Sequence, residues 1–226
     1  MALLGQGILA FWNDVAAGGD AEFVHWHSRE HIPERVGLRG FRRGRRYVAI
    51  AGNPKYFTLY ETESLETLSG PDYVARLNAP TPWTQRALPL FRNSKRSACR
   101  VTLSLGSGVG GALTTLEFGP QPGCAPQLRE WLTAGALPTI ADWPGVVGLH
   151  LCEADATTTD VRTEEKTLRG RPDAAARWVI LVEALEPEAA EAASRELTSA
   201  GSFARHGAAE DMTLAIYRLQ YCLARQ

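Results

Sequence analysis

Four titratable side chains recur at helical spacing near the start of this chain: His27, Glu30, His31 and Glu34. The intervals of three, four and seven residues place them on one face of a helix. Histidine titrates near neutral pH, and a neighbouring carboxylate can orient its ring. We therefore predict that His31 is a general acid/base and that His27 and Glu30 orient it or its substrate. The alternative is a hydrogen-bonded histidine near a helix C-terminus, where its cation meets the helix dipole favourably.

The same residues spell H-x-x-E-H, a pattern that binds zinc in one class of proteases. Pro33 follows two residues after His31, and no second acidic helical motif stands out downstream. We predict no metal site. The four cysteines have no CxxC spacing, so neither a zinc knuckle nor a redox dithiol is expected from Cys99, Cys124, Cys152 and Cys222.

Arginines and aromatic residues accompany the histidines. Segment 39–47 holds five arginines that could attract an anionic ligand, although we favour a solvated loop and strand face. Arg46 and Tyr47 alternate into a strand, so one of them is expected to face the helices. We predict Tyr47 as a further catalytic side chain, and we predict that the substrate is bound by Arg46, Trp83, Phe11 and Tyr60. The alternative for the aromatic residues is that they fill the hydrophobic core and bind no ligand.

The elements that position these residues are repeated. A tryptophan, a proline and a glycine, each seven residues apart, recur at a shift of 105 residues: Trp26, Pro33 and Gly40, then Trp131, Pro138 and Gly145. The polar face is lost in the second copy, where the matching residues are Leu132, Gly135, Ala136 and Thr139. Only the first copy is therefore expected to carry chemistry.

The apolar patterns of the first half follow the order strand, helix, strand, strand, helix, strand, at 7–15, 20–34, 45–50, 55–61, 63–77 and 97–106. Pro33 is expected to end the first helix. This predicts an α+β fold of two tandem ferredoxin-like βαββαβ units, 1–106 and 107–226, packed sheet to sheet as an intramolecular dimeric α+β barrel. The Gly-rich segment 105–112 would link the units. The polar segment 154–173 is expected to be a long surface hairpin loop, and the proline-rich segment 78–93 a lid over the pocket mouth.

Charge and composition exclude some partners. The 24 basic and 25 acidic residues give a net charge of -1, so we expect neither nucleic acid nor membrane as partner. No signal segment or membrane-spanning apolar run is evident, which favours the cytoplasm. The expected partner is a small-molecule ligand, and a homodimer of the fused chain stays open.

The helix with W-H-x-x-x-H-x-P-E at 26–34, the Gly40–Phe41 pair and the Arg46–Tyr47 strand resemble the EthD-like group of the dimeric α+β barrel superfamily. The resemblance covers about the first 100 residues. It implies a site between the helices and the sheet, and mostly chemistry without metal or organic cofactor. The superfamily includes monooxygenases, lactone isomerases, polyketide cyclases, dehydratases and haem-degrading enzymes.

From the residues and the resemblance together we expect a small-molecule enzyme, without a cofactor, that transfers protons on an aromatic or lactone-like compound. One alternative is a noncatalytic protein that binds a hydrophobic ligand or is related to stress. A haem protein with His31 as axial ligand is another.

Overall fold

The computed structural model describes residues 3–170, 173–199 and 202–226, and eight strands within them close into an antiparallel barrel. The strands are β1 Gly7–Val15, β2 Phe41–Ala51, β3 Tyr56–Thr62, β4 Phe91–Gly106, β5 Ala112–Phe118, β6 Val146–Ala154, β7 Trp178–Ala184 and β8 Thr213–Ala224. Their order around the barrel is β1-β3-β2-β8-β5-β7-β6-β4, and β4 pairs with β1 to close it. The predicted α+β class is confirmed.

Helices surround the barrel: α1 Asp20–Trp26, α2 Ile32–Gly37, α3 Pro71–Leu77, α4 Pro82–Ala87, α5 Ala125–Trp131, α6 Leu137–Ala141, α7 Ala156–Thr159, α8 Glu164–Leu168, α9 Pro187–Leu197 and α10 Ser202–Arg205. Short 3-10 turns cover Leu65–Ser69 and Leu88–Leu90. The helix predicted at 63–77 is thus split, because Pro71 begins a new helix. None of the helices described is long and apolar enough to cross a bilayer.

The first helical segment continues past its proline. A π-helical turn, His27–His31, joins α1 to α2, and the Ile32 N–H donates to the His27 carbonyl five residues back. Pro33 has no N–H to give, and the wider turn accommodates its ring. The expectation that Pro33 ends the helix is therefore wrong, since the helix runs on to Gly37. A second π-helical turn, Leu132–Ala136, precedes Pro138 in the other half.

The barrel interior is one apolar core filled by alternate strand residues, among them Ile8, Trp12 and Phe57. It also holds charge, because the fully buried Arg45 pairs with Glu61 and with Glu183, each at 2.9 Å. The strands of residues 7–106 meet those of residues 112–224 at the β2–β8 and β4–β6 pairs. Both halves of the chain therefore contribute to the same core.

The arginine-rich segment is not the solvated face that the sequence favours. Arg39 and Arg42 are exposed, whereas Arg43, Arg45 and Arg46 are at most 8% exposed. Their burial is possible because each guanidinium has a side-chain partner inside the protein.

A glycine allows the histidine-bearing helix to approach the sheet. A Cβ at Gly44 of β2 would lie 2.8 Å from Cγ2 of Ile32 on α2 and 3.1 Å from the ring of Tyr60. Any side chain at this position would push α2 away from the sheet.

The outer helix layers of the two halves are packed differently. Around the strands of the second half, one continuous apolar cluster includes Leu132, which occupies the position matching His27. Around the strands of the first half, the apolar residues form two separate clusters, one centred on Tyr60 and Tyr73 and one on Phe23 and Trp26. A cavity lies between those two clusters.

Candidate active site

The cavity lies between the outer face of β1, β3 and β4 and the helical segments of the first half, with α8 contributing a wall. The space open to the centre of a water molecule is about 50 Å³, several times the roughly 10–15 Å³ that one water needs. It therefore has room for a few waters or a compact ligand. Its lining residues are Leu9, Phe11, His27, His31, Arg35, Thr58, Tyr60, Leu68, Tyr73, Leu77, Leu88, Phe91, Arg96, Val161, Thr163, Glu165, Lys166 and Arg169.

Strand alternation brings these residues together. Leu9 and Phe11 of β1 face the cavity, whereas Ile8 and Trp12 of the same strand face the barrel interior. On β3, Thr58 and Tyr60 face the cavity in the same way. The sheet thus presents an apolar wall with two hydroxyl groups in it.

Within the part of the chain that the structure describes, three buried polar atoms on side chains that line this cavity have no hydrogen-bond partner: His31 Nδ1, Thr58 Oγ1 and Tyr60 Oη. Buried polar groups are normally paired, and one left unpaired costs about 1–3 kcal/mol. That three such atoms face one small space indicates that a polar ligand or water completes them.

His27 is held in one tautomer. A guanidinium only donates hydrogen bonds, so Arg46 Nη1, 3.2 Å from His27 Nδ1, makes that nitrogen an acceptor and leaves the proton of the neutral ring on Nε2. Burial, together with the charges of Arg46 and Arg35, holds the pKa of His27 well below its usual range. The ring stacks on Phe23 at 5.0 Å and on His31 at 5.4 Å.

His31 is also neutral in the folded protein. Burial is the main cause, and the guanidinium of Arg35 adds to it, so the pKa of His31 lies well below its usual range. Its ring packs against those of Trp26, at 4.3 Å, and His27, at 5.4 Å, which limits its orientation. A neutral imidazole with an unpartnered nitrogen can accept a proton.

The cationic groups at the cavity outnumber the carboxylates. The lining contains Arg35, Arg96, Lys166 and Arg169 but, as an acid, only Glu165, which pairs with Arg35. Burial raises the pKa of the Tyr60 hydroxyl, so this group stays protonated and can donate a hydrogen bond. The site therefore combines a neutral base with positive charge and hydroxyl donors, an arrangement that stabilises an anion formed by proton removal.

Glu30 does not orient His31. Its Oε1 accepts hydrogen bonds from Trp26 Nε1 at 3.2 Å, Thr81 Oγ1 at 2.6 Å and Thr84 Oγ1 at 3.1 Å. Glu30 thus ties the first helix to α4, and the structure does not bring it to the cavity lining.

Tyr47 also lies elsewhere. Its ring belongs to the barrel interior, on the opposite face of the sheet, and its hydroxyl accepts a hydrogen bond from Arg45 at 2.8 Å. Arg46 is the member of the pair that faces the helices, and it reaches the site only through His27. Trp83 donates from Nε1 to Glu22 at 2.7 Å and packs against His25, away from the cavity.

The proline-rich segment and the polar loop both contribute walls. From segment 78–93, Leu88 and Phe91 line the cavity. The segment expected to be a surface hairpin, 154–173, instead forms α7 and α8 and packs against the first half; residues 171 and 172 lie outside the described residues. The prediction of a surface hairpin was wrong because the polarity of the segment does not reveal contacts with distant residues, such as the ion pair of Arg35 with Glu165.

Sequence reasoning missed several lining residues. Arg35 follows Glu34 directly, and the helical periodicity could have placed it near His31. Thr58 could have been found from its alternation with Phe57 and Leu59 in β3. No local signal identifies the residues from α8. Among the residues described, no group of three or more His, Cys, Asp or Glu side chains is placed to hold a metal ion.

No protein-family model matches this chain, and no curated protein is similar to it in sequence. Solved structures share its fold. A candidate monooxygenase from Fusobacterium nucleatum is 8% identical, with a TM-score of 0.63 over 99% of this chain and 96% of that one. An anthrone oxidase-like protein is 13% identical, with a TM-score of 0.55 over 96% and 92%. A haem-binding protein from Thermus thermophilus is 11% identical, with a TM-score of 0.54 over 96% and 92%. At such identities the likeness shows the fold alone, an α+β fold whose antiparallel strands close into a barrel.

The cavity does not fit haem. A porphyrin is a rigid plane of four linked pyrrole rings, which is too large for the space of about 50 Å³ beside His31. The Trp26 and His27 rings also pack against the His31 imidazole. We therefore derive no step through an iron-bound His31.

Proposed function

We propose that this protein is an enzyme that transfers protons on a single-ring aromatic or lactone-like compound without a cofactor, with His31 as the acid/base. The observation that carries the proposal is the set of unpartnered buried atoms, His31 Nδ1, Thr58 Oγ1 and Tyr60 Oη, around one cavity. A ligand with a carbonyl or phenolic oxygen near an acidic hydrogen would satisfy all three.

The proposed step needs no oxidant and no co-reactant. Neutral His31 removes a proton from a carbon next to the ligand's carbonyl group; the electron pair of the C–H bond forms a C=C bond, and the π pair of the C=O bond moves onto the oxygen. The Tyr60 and Thr58 hydroxyls donate hydrogen bonds to the resulting enolate. In a ligand whose enolate is conjugated with a further C=C bond, return of the proton from His31 to the far carbon of that bond gives an isomer of the starting compound.

Formation of the enolate also raises the basicity of His31. Burial, and after it the charges of Arg35 and other nearby cations, hold the pKa of His31 low in the free protein. A negative charge that develops beside the ring offsets those cations and raises the pKa of His31 during the reaction. His27 acts as a positioning residue, because its stacked ring and its hydrogen bond from Arg46 hold the His31 ring in place.

The walls suit a flat, apolar ring. Phe11 and Tyr60, both expected from the sequence to bind substrate, line the cavity, together with Leu9, Leu88 and Phe91. The limited space favours one ring over a polycyclic compound.

We also propose that the chain is a tandem fusion of two ferredoxin-like units, 1–106 and 107–226, of the EthD-like group. In each half the strand order is fourth, first, third, second, and the two π-helical turns are displaced by the same 105 residues as the tryptophan–proline–glycine pattern. Leu132 and Ala136, which stand where the first unit has His27 and His31, pack into the apolar layer of the second unit. One active site per chain follows.

The proposal is tested by deuterium exchange. A panel of single-ring lactones, phenols and aromatic acids is incubated with the protein in deuterated water, and deuterium in each compound is measured by mass spectrometry and NMR. A proton-transfer enzyme incorporates deuterium into at least one class. His31→Ala should abolish this exchange, because the other histidine that lines the cavity, His27, already has its Nδ1 occupied by Arg46.

The matched control is His25→Ala, since His25 lies on the same helix but is exposed. It should exchange like the unchanged protein. Exchange that survives in His31→Ala would refute the role of His31. If compounds bind but exchange no deuterium, the protein is a noncatalytic ligand-binding protein and not an enzyme.

A further inference from the structure

The segment between β6 and β7 belongs to the second half but covers the cavity of the first. Val161, Thr163, Glu165, Lys166 and Arg169, all from this segment, line the cavity. We call residues 156–169, which comprise α7, α8 and the chain between and just after them, the cover segment.

The cover segment is anchored on both sides. At its start, Asp155 N–H donates to the Ala98 carbonyl at 2.9 Å, and Thr159 Oγ1 accepts from Ala98 N–H at 3.1 Å. At α8, Glu164 N–H donates to Asn78 Oδ1 at 3.0 Å, and Glu165 forms a buried ion pair with Arg35. The cationic side chains of the segment are therefore held in place over the cavity.

Two cations at the cavity form no ion pair with any of the residues that the structure describes. Arg96 Nη1 of β4 and Lys166 Nζ of α8 both donate to the Thr159 carbonyl, at 3.0 and 2.7 Å. Within the described residues, neither forms an ion pair with a carboxylate, whereas Arg35 pairs with Glu165 and Arg169 with Asp173. Arg96 is only 6% exposed, and a buried charge without a counter-charge is costly.

The surroundings of Lys166 favour a bound anion. Burial and the neighbouring charge of Arg96 lower the pKa of the Lys166 ammonium, and they outweigh the carboxylates of Asp173 and Asp160, which raise it. An anion between the two cations would remove that repulsion. A guanidinium carries five N–H donors and an ammonium three, so each group has donors beyond the one directed at Thr159.

We propose that Arg96 and Lys166 bind the carboxylate of a small aromatic acid, whose ring lies against Phe11 and Tyr60 and whose reactive part faces His31. This inference rests on the function proposed above and names the substrate class for the same cavity. Two cationic groups on adjacent elements match the two oxygens of a carboxylate, and the apolar strand residues match the ring. The second half of the chain thus supplies part of the substrate specificity of a site whose base lies in the first.

Binding of a matched pair of probes tests the assignment. Benzoate and benzamide have nearly the same shape and differ in charge, and calorimetry measures the affinity of each for the full chain. Benzoate should bind at least about tenfold more tightly than benzamide, the effect of one hydrogen bond to a charged group. Equal affinities, or no binding of benzoate, would overturn the proposal.

Single-residue variants show which side chains bind the carboxylate. Lys166→Met should weaken benzoate binding by about tenfold or more and leave benzamide binding nearly unchanged. Arg96→Gln should do the same, and Lys166→Met decides the matter if Arg96→Gln does not fold. Lys55→Met is the matched control, because Lys55 is an exposed lysine paired with Asp20 away from the cavity. Benzoate binding that is unchanged in Lys166→Met, or weakened equally in Lys55→Met, would overturn the proposal.

Competition with inorganic phosphate distinguishes a carboxylate site from a phosphate site. Phosphate that competes as strongly as benzoate would contradict a carboxylate site. The test is independent of catalysis: if benzoate binds through Lys166 but His31→Ala leaves deuterium exchange unchanged, the carboxylate site stands and the proposed proton transfer fails.

Discussion

Replacing the two cavity histidines by the residues of the second half, His27→Leu and His31→Ala, should remove part of the pH dependence of folding. Burial holds the pKa of both histidines well below the ordinary value in the folded protein. In the unfolded chain both have a pKa of about 6.5. As the pH falls through that value, the unfolded chain takes up protons that the folded protein does not, so the free energy of unfolding decreases.

The size of the effect follows from this linkage. At about pH 5.5, one unit below the unfolded pKa, each histidine that stays neutral in the folded state destabilises it by about 1.4 kcal/mol. The two together give about 2.8 kcal/mol. At about pH 7.5 the contribution is nearly absent, because both states are then largely neutral.

Urea unfolding at these two pH values measures the effect. Between the higher and the lower pH the unchanged protein should lose up to about 2.8 kcal/mol more stability than the double variant. The comparison is of the pH dependence, since removing the acceptor of Arg46 also lowers stability at every pH. His25→Ala should behave like the unchanged protein. An equal loss in the double variant and the unchanged protein would show that the histidines are protonated in the folded state.

Further predictions concern the packing that holds the site. Trp26→Ala should cost about 3–5 kcal/mol in urea unfolding, because Trp26 is fully buried, and Trp131→Ala should cost less because Trp131 is partly exposed; the reverse order would contradict the packing. Gly44→Ala should cost about 1–3 kcal/mol, since its Cβ would meet Ile32 and Tyr60, and no loss would mean that α2 does not approach the sheet as described. Residues 1–106 alone should aggregate or bind apolar dyes in size-exclusion and fluorescence assays, since β2 and β4 lose β8 and β6; a stable monomer would refute the shared core.

Strands were the most predictable part of the fold. The pattern at 7–15 coincides with β1, and that at 55–61 differs from β3 by one residue at each end, because runs of β-branched and aromatic residues bounded by turns mark strands directly. The helix beyond Pro33 was not predictable by the same logic. A π-helical turn shifts one backbone hydrogen bond, and side-chain patterns carry no record of that shift.

The site residues could be predicted where they share one face of a helix. His27 and His31 reach the cavity because four-residue spacing places them together. Tyr47 was misplaced because alternation says that it and Arg46 face opposite sides but not which side is which. The cover segment could not be foreseen, since its place depends on contacts between residues far apart in sequence, such as Arg35 with Glu165.

His31 acts as a neutral base that takes a proton in the cavity, if the proposed function holds. Nitrogen-15 NMR of histidine-labelled protein observes this directly, with His31→Ala used to assign the signal and spectra recorded across the pH range with and without benzoate. We expect free His31 to stay neutral below the ordinary histidine pKa, and its pKa to rise when benzoate binds, because the anion offsets the nearby cations. A His31 that titrates at its ordinary value in the free protein, or that does not respond to bound benzoate, would contradict it.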